Sequence, residues 1–195
     1  MGEAVKQMTV KLVASIIFRD RPRLERAEKC LKRIYGAMET LELESPFDYT
    51  DYYSSEFGSP LYRKIFCFRK PVGPERLADI KLVTNRLECK MKVEGKRTVN
   101  IDPGYVTDAK LVLLTTKDYT HRVYIGSRIF AESTLHYRDG SFRPWPWTYP
   151  DYASDAIVGY FNKVRKLYLH DVRGRRIKEK KLQRRIWKVR DVTQK

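Results

Sequence analysis

Within the eight residues Thr115–Arg122 the chain gathers three threonine hydroxyls, Lys117, Asp118, His121 and Arg122. They follow the apolar run Ala109–Thr116, which reads as a central strand, so the segment reads as an anion-binding turn at a strand end. Lys117 offers a point charge, Arg122 a planar fork for phosphate or carboxylate, and Thr116 a hydroxyl. His121 is the candidate general acid or base, because an unperturbed imidazole titrates near neutrality. His136, between Leu135 and Tyr137, competes with it weakly. A plain surface turn rich in Lys, Asp and Thr is the alternative.

Two acidic positions could complete a site. Asn100–Tyr105 (NIDPGY) reads as a strand ending in a tight turn, with Pro103 pre-setting φ and Gly104 supplying a positive φ. Asn100 and Asp102 would then share a face at the strand end, holding a metal or a ligand hydroxyl, unless Asp102 merely caps the turn. Glu132 lies in a strand between Phe130 and Leu135, where a carboxylate costs desolvation unless it is paired. Lys110 or Arg122 on a neighbouring strand would pair it; a catalytic or metal-binding role is the rival reading. Asp102 and Glu132 offer oxygen ligands suited to Mg²⁺, without a fixed metal-binding spacing. Asp48, Asp51 and Glu56 form a further acidic group, and Thr84, Asn85 and Glu88 share a helix face. Trp145 and Trp147 read as packing or as a stacking platform for a base. Asp151, after Pro150, reads as the N-cap of the last helix of the core.

The elements that must position these groups are legible as follows. Val10–Phe18 is a β-branched, apolar run typical of a buried central strand. Leu24, Ala27, Leu31, Ile34 and Met38 recur at helical spacing, predicting a helix over about Pro22–Leu41. Phe47–Tyr53 reads as an aromatic strand or extended segment, Leu61–Phe68 as a strand, Pro74 opens a second helix, and Arg97–Ile101 is the next strand. That βαββαβ order predicts an α+β domain with a ferredoxin-like start. The sheet is expected to be mixed or antiparallel, extended by a hairpin over His121–Tyr137, with helices mainly on one face. Phe142–Tyr152 should wrap over the sheet, and Ala153–Leu169 should be a helix with Ile157, Phe161, Val164 and Tyr168 buried.

With 195 residues the chain can bury one substantial core. The division predicted is a globular domain over 1–169 and a basic helical extension over 170–195. The net charge of +16 is uneven: residues 163–195 carry 14 Lys or Arg against three acidic residues. Arg173, Arg175, Arg176 and Lys178, then Lys180, Lys181, Arg184 and Arg185, are the candidates for non-specific contact with RNA or DNA phosphates. A merely solubilising helix is the alternative. The longest apolar run is too short to span a bilayer and no signal peptide is apparent, so no membrane partner and a cytoplasmic location are expected. Cys30, Cys67 and Cys89 read as free thiols, without zinc-site spacing.

Six ordered segments carry a resemblance: TDYYSSEFG (50–58), IKLVTNRLE (80–88), GKRTVNIDPGYV (95–106), LLTTKDYTHRVY (113–124), FAESTLHY (130–137) and WTYPDY (147–152). On these the chain resembles, over residues 8–168, a family of uncharacterised bacterial proteins that is a domain of unknown function, with members sometimes labelled GTP-binding proteins. A P-loop needs a glycine-rich turn ending in GK[ST]. Here Gly95–Lys96–Arg97 lacks the upstream glycine and has Arg97 where Ser or Thr belongs, so ordinary P-loop chemistry is not expected. The residues support a protein that binds or acts on a phosphorylated small molecule or nucleotide. The rival is a non-enzymatic nucleic-acid-associated protein working through its basic extension.

Overall fold

The eight residues of β1 (Lys11–Phe18) are all buried, and the molecule is built on both sides of them. Leu12, Ala14, Ile16 and Phe18 face one core and Val13 the other, the period-two alternation of a strand covered on both faces. The computed structural model describes the backbone of residues 8–50 and 53–192, with side chains for these residues apart from 54, 55, 173 and 175–192.

In α1 (Arg21–Tyr35) the Asp20 side chain accepts from the Arg23 N–H at 3.1 Å, and Leu24, Ala27, Leu31 and Tyr35 form the buried stripe. The helix ends sooner than its apolar spacing suggests. Gly36 takes φ 89° and ψ −168°, a region in which a Cβ is strained, and Met38–Pro46 form β2 instead of a last helical turn. The strand expected over Phe47–Tyr53 is therefore supplied upstream by β2.

A short α2 (Ser54–Phe57), β3 (Tyr62–Phe68) and α3 (Leu77–Lys90) follow. Then come β4 (Val99–Val106), β5 (Lys110–Thr115), β6 (Arg122–Gly126), β7 (Ile129–Arg138), β8 (Ser141–Pro144) and α4 (Asp155–Val192). The eight strands make one antiparallel sheet in the order β2-β3-β1-β4-β5-β7-β6, with β8 also paired to β7. Leu77 and Ile80 of α3 join the stripe of α1 in the core on one face. Ile157, Phe161 and Val164 of α4 pack on Val13, Ile65 and Leu135 on the other. The expectation of helices mainly on one face holds for α1 and α3 but not for α4, because a strand as apolar as β1 needs cover on both sides.

β4 also departs from expectation. Asn100–Tyr105 is no turn; it lies inside a continuous strand, with Pro103 opposite Ala14 of β1. Gly104 is required for close approach, not for a positive φ: an added Cβ would lie 2.5 Å from the Val112 carbonyl oxygen and 2.8 Å from Leu113 Cδ2. Only Gly104–Val106 pair with β5, whereas β4 pairs with β1 along its whole length. Pro103 has no N–H to give, and from there the two strands part.

Along the outer side of β7, β6 pairs with one half and β8 with the other. The interval between them is filled by side chains: Trp147 Nε1 donates to the Ser133 carbonyl at 3.1 Å and Thr148 Oγ1 to the Thr134 carbonyl at 2.6 Å. Midway along α4, wholly buried Lys11 bonds Glu39 at 2.6 Å and Asp171 at 2.8 Å, and Val172 is buried too. All three cysteines are free; Cys67 is buried, Cys30 partly so, and Cys89 is exposed. Among the described residues no helix is long and apolar enough to cross a membrane.

Candidate functional site

Where β4 and β5 part, a cleft of about 550 Å³ opens. It draws side chains from both faces of the sheet: Lys81, Asn85 and Glu88 from α3, and Arg63, Asp151 and Tyr152 from the side that α4 covers. Asn100 and Asp102 of β4 and the Thr115–Lys117 end of β5 form its throat, with Arg122 and Glu132 beyond. Phe47, Tyr49, Tyr53 and Tyr149 add aromatic wall.

Three paired networks hold the polar lining. In the first, Arg97 grips Glu56 at 2.7 Å, Glu88 at 3.1 Å and the Asn100 side-chain oxygen at 3.1 Å. Glu88 also accepts from the Ile101 N–H at 2.8 Å. The Asn100 amide donates to Asp102 at 2.6 Å, and Lys81 donates to Asp102 at 3.0 Å and to the Ile101 carbonyl at 3.1 Å. Burial pushes the Glu88 carboxyl above the usual carboxylate range, against the pull of Lys81. The hydrogen bonds from Arg97 hold Glu56 below that range, and they raise Arg97 itself.

The second network centres on Glu132, which is buried and accepts from Arg122 Nε at 2.9 Å while its Oε2 lies 3.1 Å from His121 Nε2. Burial, the largest single influence, would lower the Arg122 pKa; the hydrogen bond and charge of Glu132, with a smaller contribution from Tyr149, together outweigh it and raise it. Arg122 also bonds the Lys117 carbonyl at 3.1 Å. In the third, Arg63 is hydrogen-bonded to Asp151 and sandwiched between the rings of Phe47 at 4.5 Å and Tyr152 at 4.9 Å. Burial lifts the Tyr152 phenol to about 12.

Six of the seven candidate catalytic and ligand-binding residues line the cleft together: Asn100, Asp102, Thr116, Lys117, Arg122 and Glu132. His121 stands behind Glu132, outside the lining, with its ring stacked on Trp147 at 5.4 Å. Of the two cationic partners suggested for Glu132, Arg122 takes it; Lys110 lies opposite His136. The proposed Mg²⁺ pair does not fit. Asp102 is taken by Lys81 and Asn100, Glu132 by Arg122 and His121, and a divalent cation would add positive charge beside ammonium and guanidinium groups at about 3 Å. Among the described residues no group of three or more His, Cys, Asp or Glu side chains could hold a metal.

Other expectations need correction. Asp151 does not cap α4 through its side chain; its carboxylate bonds Arg63 and the Tyr152 N–H, and Ser154 bonds its carbonyl. Trp145 and Trp147 present no open platform. They stack on each other at 5.2 Å, His121 covers the Trp147 end of the stack and His136 packs against Trp145 at 4.1 Å. Of the acidic group near Tyr53, Asp48 is exposed, Glu56 is held by Arg97, and Asp51 lies outside the described residues. The side chains of Arg173, Arg175, Arg176, Lys178, Lys180, Lys181, Arg184 and Arg185 also lie outside them.

Lys81, Arg63 and Arg97 were not singled out in the sequence. Lys81 occupies a position within the apolar stripe of α3, between Ile80 and Thr84. A lysine there with an acidic strand downstream is the one signal that could have found it, because a buried ammonium must be paired. Arg63 is itself buried in a largely buried strand and carries the same signal.

The chain belongs to a family defined as a domain of unknown function (DUF4416), whose sequence profile matches residues 8–168. That span covers the sheet, the cleft and the packed part of α4. No curated protein and no solved structure matches the chain.

Proposed function

We propose that the cleft binds a phosphorylated small molecule or nucleotide. One observation supports this reading above the others: Arg63, Lys81, Arg97, Lys117 and Arg122 line a single cleft of ligand size, together with aromatic walls. Four of these cations, Arg63, Lys81, Arg97 and Arg122, are already oriented by carboxylates and meet an anion with little further loss of rotamer freedom. Within this reading Asp102, whose side chain is one-third exposed, is the group placed to exchange a proton with a ligand, and Glu132 steadies Arg122 and His121. The β1–α1–β2–β3–α3–β4 order, with strands arranged β2-β3-β1-β4, supports reading the first half as a ferredoxin-like split unit. A cytoplasmic setting suits such a ligand. The test is calorimetric titration with inorganic phosphate, sugar phosphates and nucleotides. Saturable binding of at least one phosphorylated compound is expected, weakened about tenfold by Lys117→Ala. No binding across that panel overturns the reading.

A second reading rests on a separate observation. The α4 backbone remains helical to Val192, some twenty residues past Val172, and residues 171–195 carry 11 basic against three acidic residues. Such a helix would bind nucleic-acid phosphates without reading sequence.

A further inference from the structure

The cleft's aromatic rings divide into two sets. Phe47 and Tyr152 are buried and their faces are occupied by Arg63. Tyr49 and Tyr149 line the same cleft yet are 51% and 57% exposed, so ring surface remains uncovered at its mouth. Tyr149 lines the cleft together with Lys117 and Arg122, so one of these rings belongs to the cationic lining. The paired tryptophans, by contrast, are stacked on each other and on histidines. Exposed large rings at the rim of a polar cleft cost hydration that a stacked planar ligand recovers.

Resting on the reading of the cleft as a phosphorylated-ligand site, we infer that its ligand carries a nucleobase. The base is held at the Tyr49/Tyr149 mouth and the phosphate lies toward Lys117, Thr116 and Arg122. The charge of the lining narrows the class further. Its described residues set five cations against four carboxylates, Glu88, Asp102, Glu132 and Asp151. That excess of one falls short of a phosphate monoester's charge, about −1.5 to −2 near neutral pH, by at most about one unit; a triphosphate without a metal would leave far more uncompensated charge beside those carboxylates. The ligand class is therefore a nucleoside monophosphate.

The experiment titrates the full-length protein with AMP, GMP, CMP and UMP, with ribose 5-phosphate, with the matching nucleosides, and with GTP and ATP. At least one monophosphate is expected to bind about tenfold or more tighter than ribose 5-phosphate. Tyr49→Ala and Tyr149→Ala should each erode that difference, and Tyr149→Phe, which keeps the ring, should restore it. Both tyrosines are more than half exposed, so the variants should fold; circular dichroism confirms it. Equal affinity for ribose 5-phosphate and monophosphates, or tyrosine variants without effect, overturns the base subsite while leaving the phosphorylated-ligand reading standing. Tighter binding of triphosphates overturns the monoester assignment. Binding of nothing in this panel overturns the nucleoside monophosphate assignment, and the phosphorylated-ligand reading falls with it only if inorganic phosphate and the other sugar phosphates also fail to bind.

Discussion

Arg97 holds two carboxylates whose titrations run in opposite directions, which makes the pair a test of the cleft's electrostatics. Glu56 has its pKa lowered from the model-compound 4.5 by Arg97, so its stabilising contribution is present above that value and is lost as pH falls below it. Glu88 has its pKa raised by burial, so the folded state holds that proton more tightly and stability declines as pH rises through 4.5 toward the folded value. Thermal melts between pH 3 and 7 should therefore lose part of their acid slope in Glu56→Gln. In Glu88→Gln the variant should gain on the parent protein as pH rises above 4.5. Parallel curves for both variants would contradict the assigned directions. At this scale the polar cluster at Asn100, Asp102, Thr116, Lys117, Arg122 and Glu132 was visible because ionisable groups interrupt strand-like runs. Lys81 was not, since its helical spacing is that of a core residue and only the fold sets it 3.0 Å from Asp102.

Among the elements, β1 and the packed half of α4 were readable because their apolar periodicities are unbroken over eight residues and more. β2 was not: Met38 and Leu41 keep the three-residue rhythm of the preceding helix, and the chain turns at Gly36 for conformational reasons that periodicity does not carry. β4 misled in another way, because Asp-Pro-Gly is turn chemistry in most contexts and here is overridden by pairing with β1. Two glycine substitutions separate these causes. Gly36→Ala meets no neighbouring atom and should cost on the order of 1–3 kcal/mol through backbone strain alone. Gly104→Ala collides with the Val112 carbonyl and should cost a similar amount, roughly 1–3 kcal/mol, by forcing β4 from β5. Denaturant melts read both losses, and only the Gly104 variant should also weaken phosphorylated-ligand binding, because it alters the throat of the cleft.

For the molecule as a whole, the Lys11–Asp171 bond decides where the basic extension can be removed. A chain ending at His170 leaves wholly buried Lys11 with Glu39 alone and should melt at a lower temperature; one ending at Gly174 keeps the bond and should not. The Lys11 pKa is raised above 10.5, since its bonds to Asp171 and Glu39 outweigh burial, which alone would lower it. That contribution is intact below 10.5 and is lost as pH rises through the higher folded value, so the gap between the two truncations should close in strong alkali. Affinity for a generic single-stranded or duplex probe should vanish in both and, in the full chain, fall steeply with salt. The three-residue pairing of β4 with β5 has one further consequence. It is a seam within the sheet: β2, β3, β1 and β4 form one panel, β5, β7, β6 and β8 another, and only a few backbone rungs join them, while both helix-covered cores pack across it. A molecule lodged in the opening touches both panels at once. Occupancy would then act as an extra stitch, slowing amide exchange in strands on either side of the opening that the ligand itself never contacts.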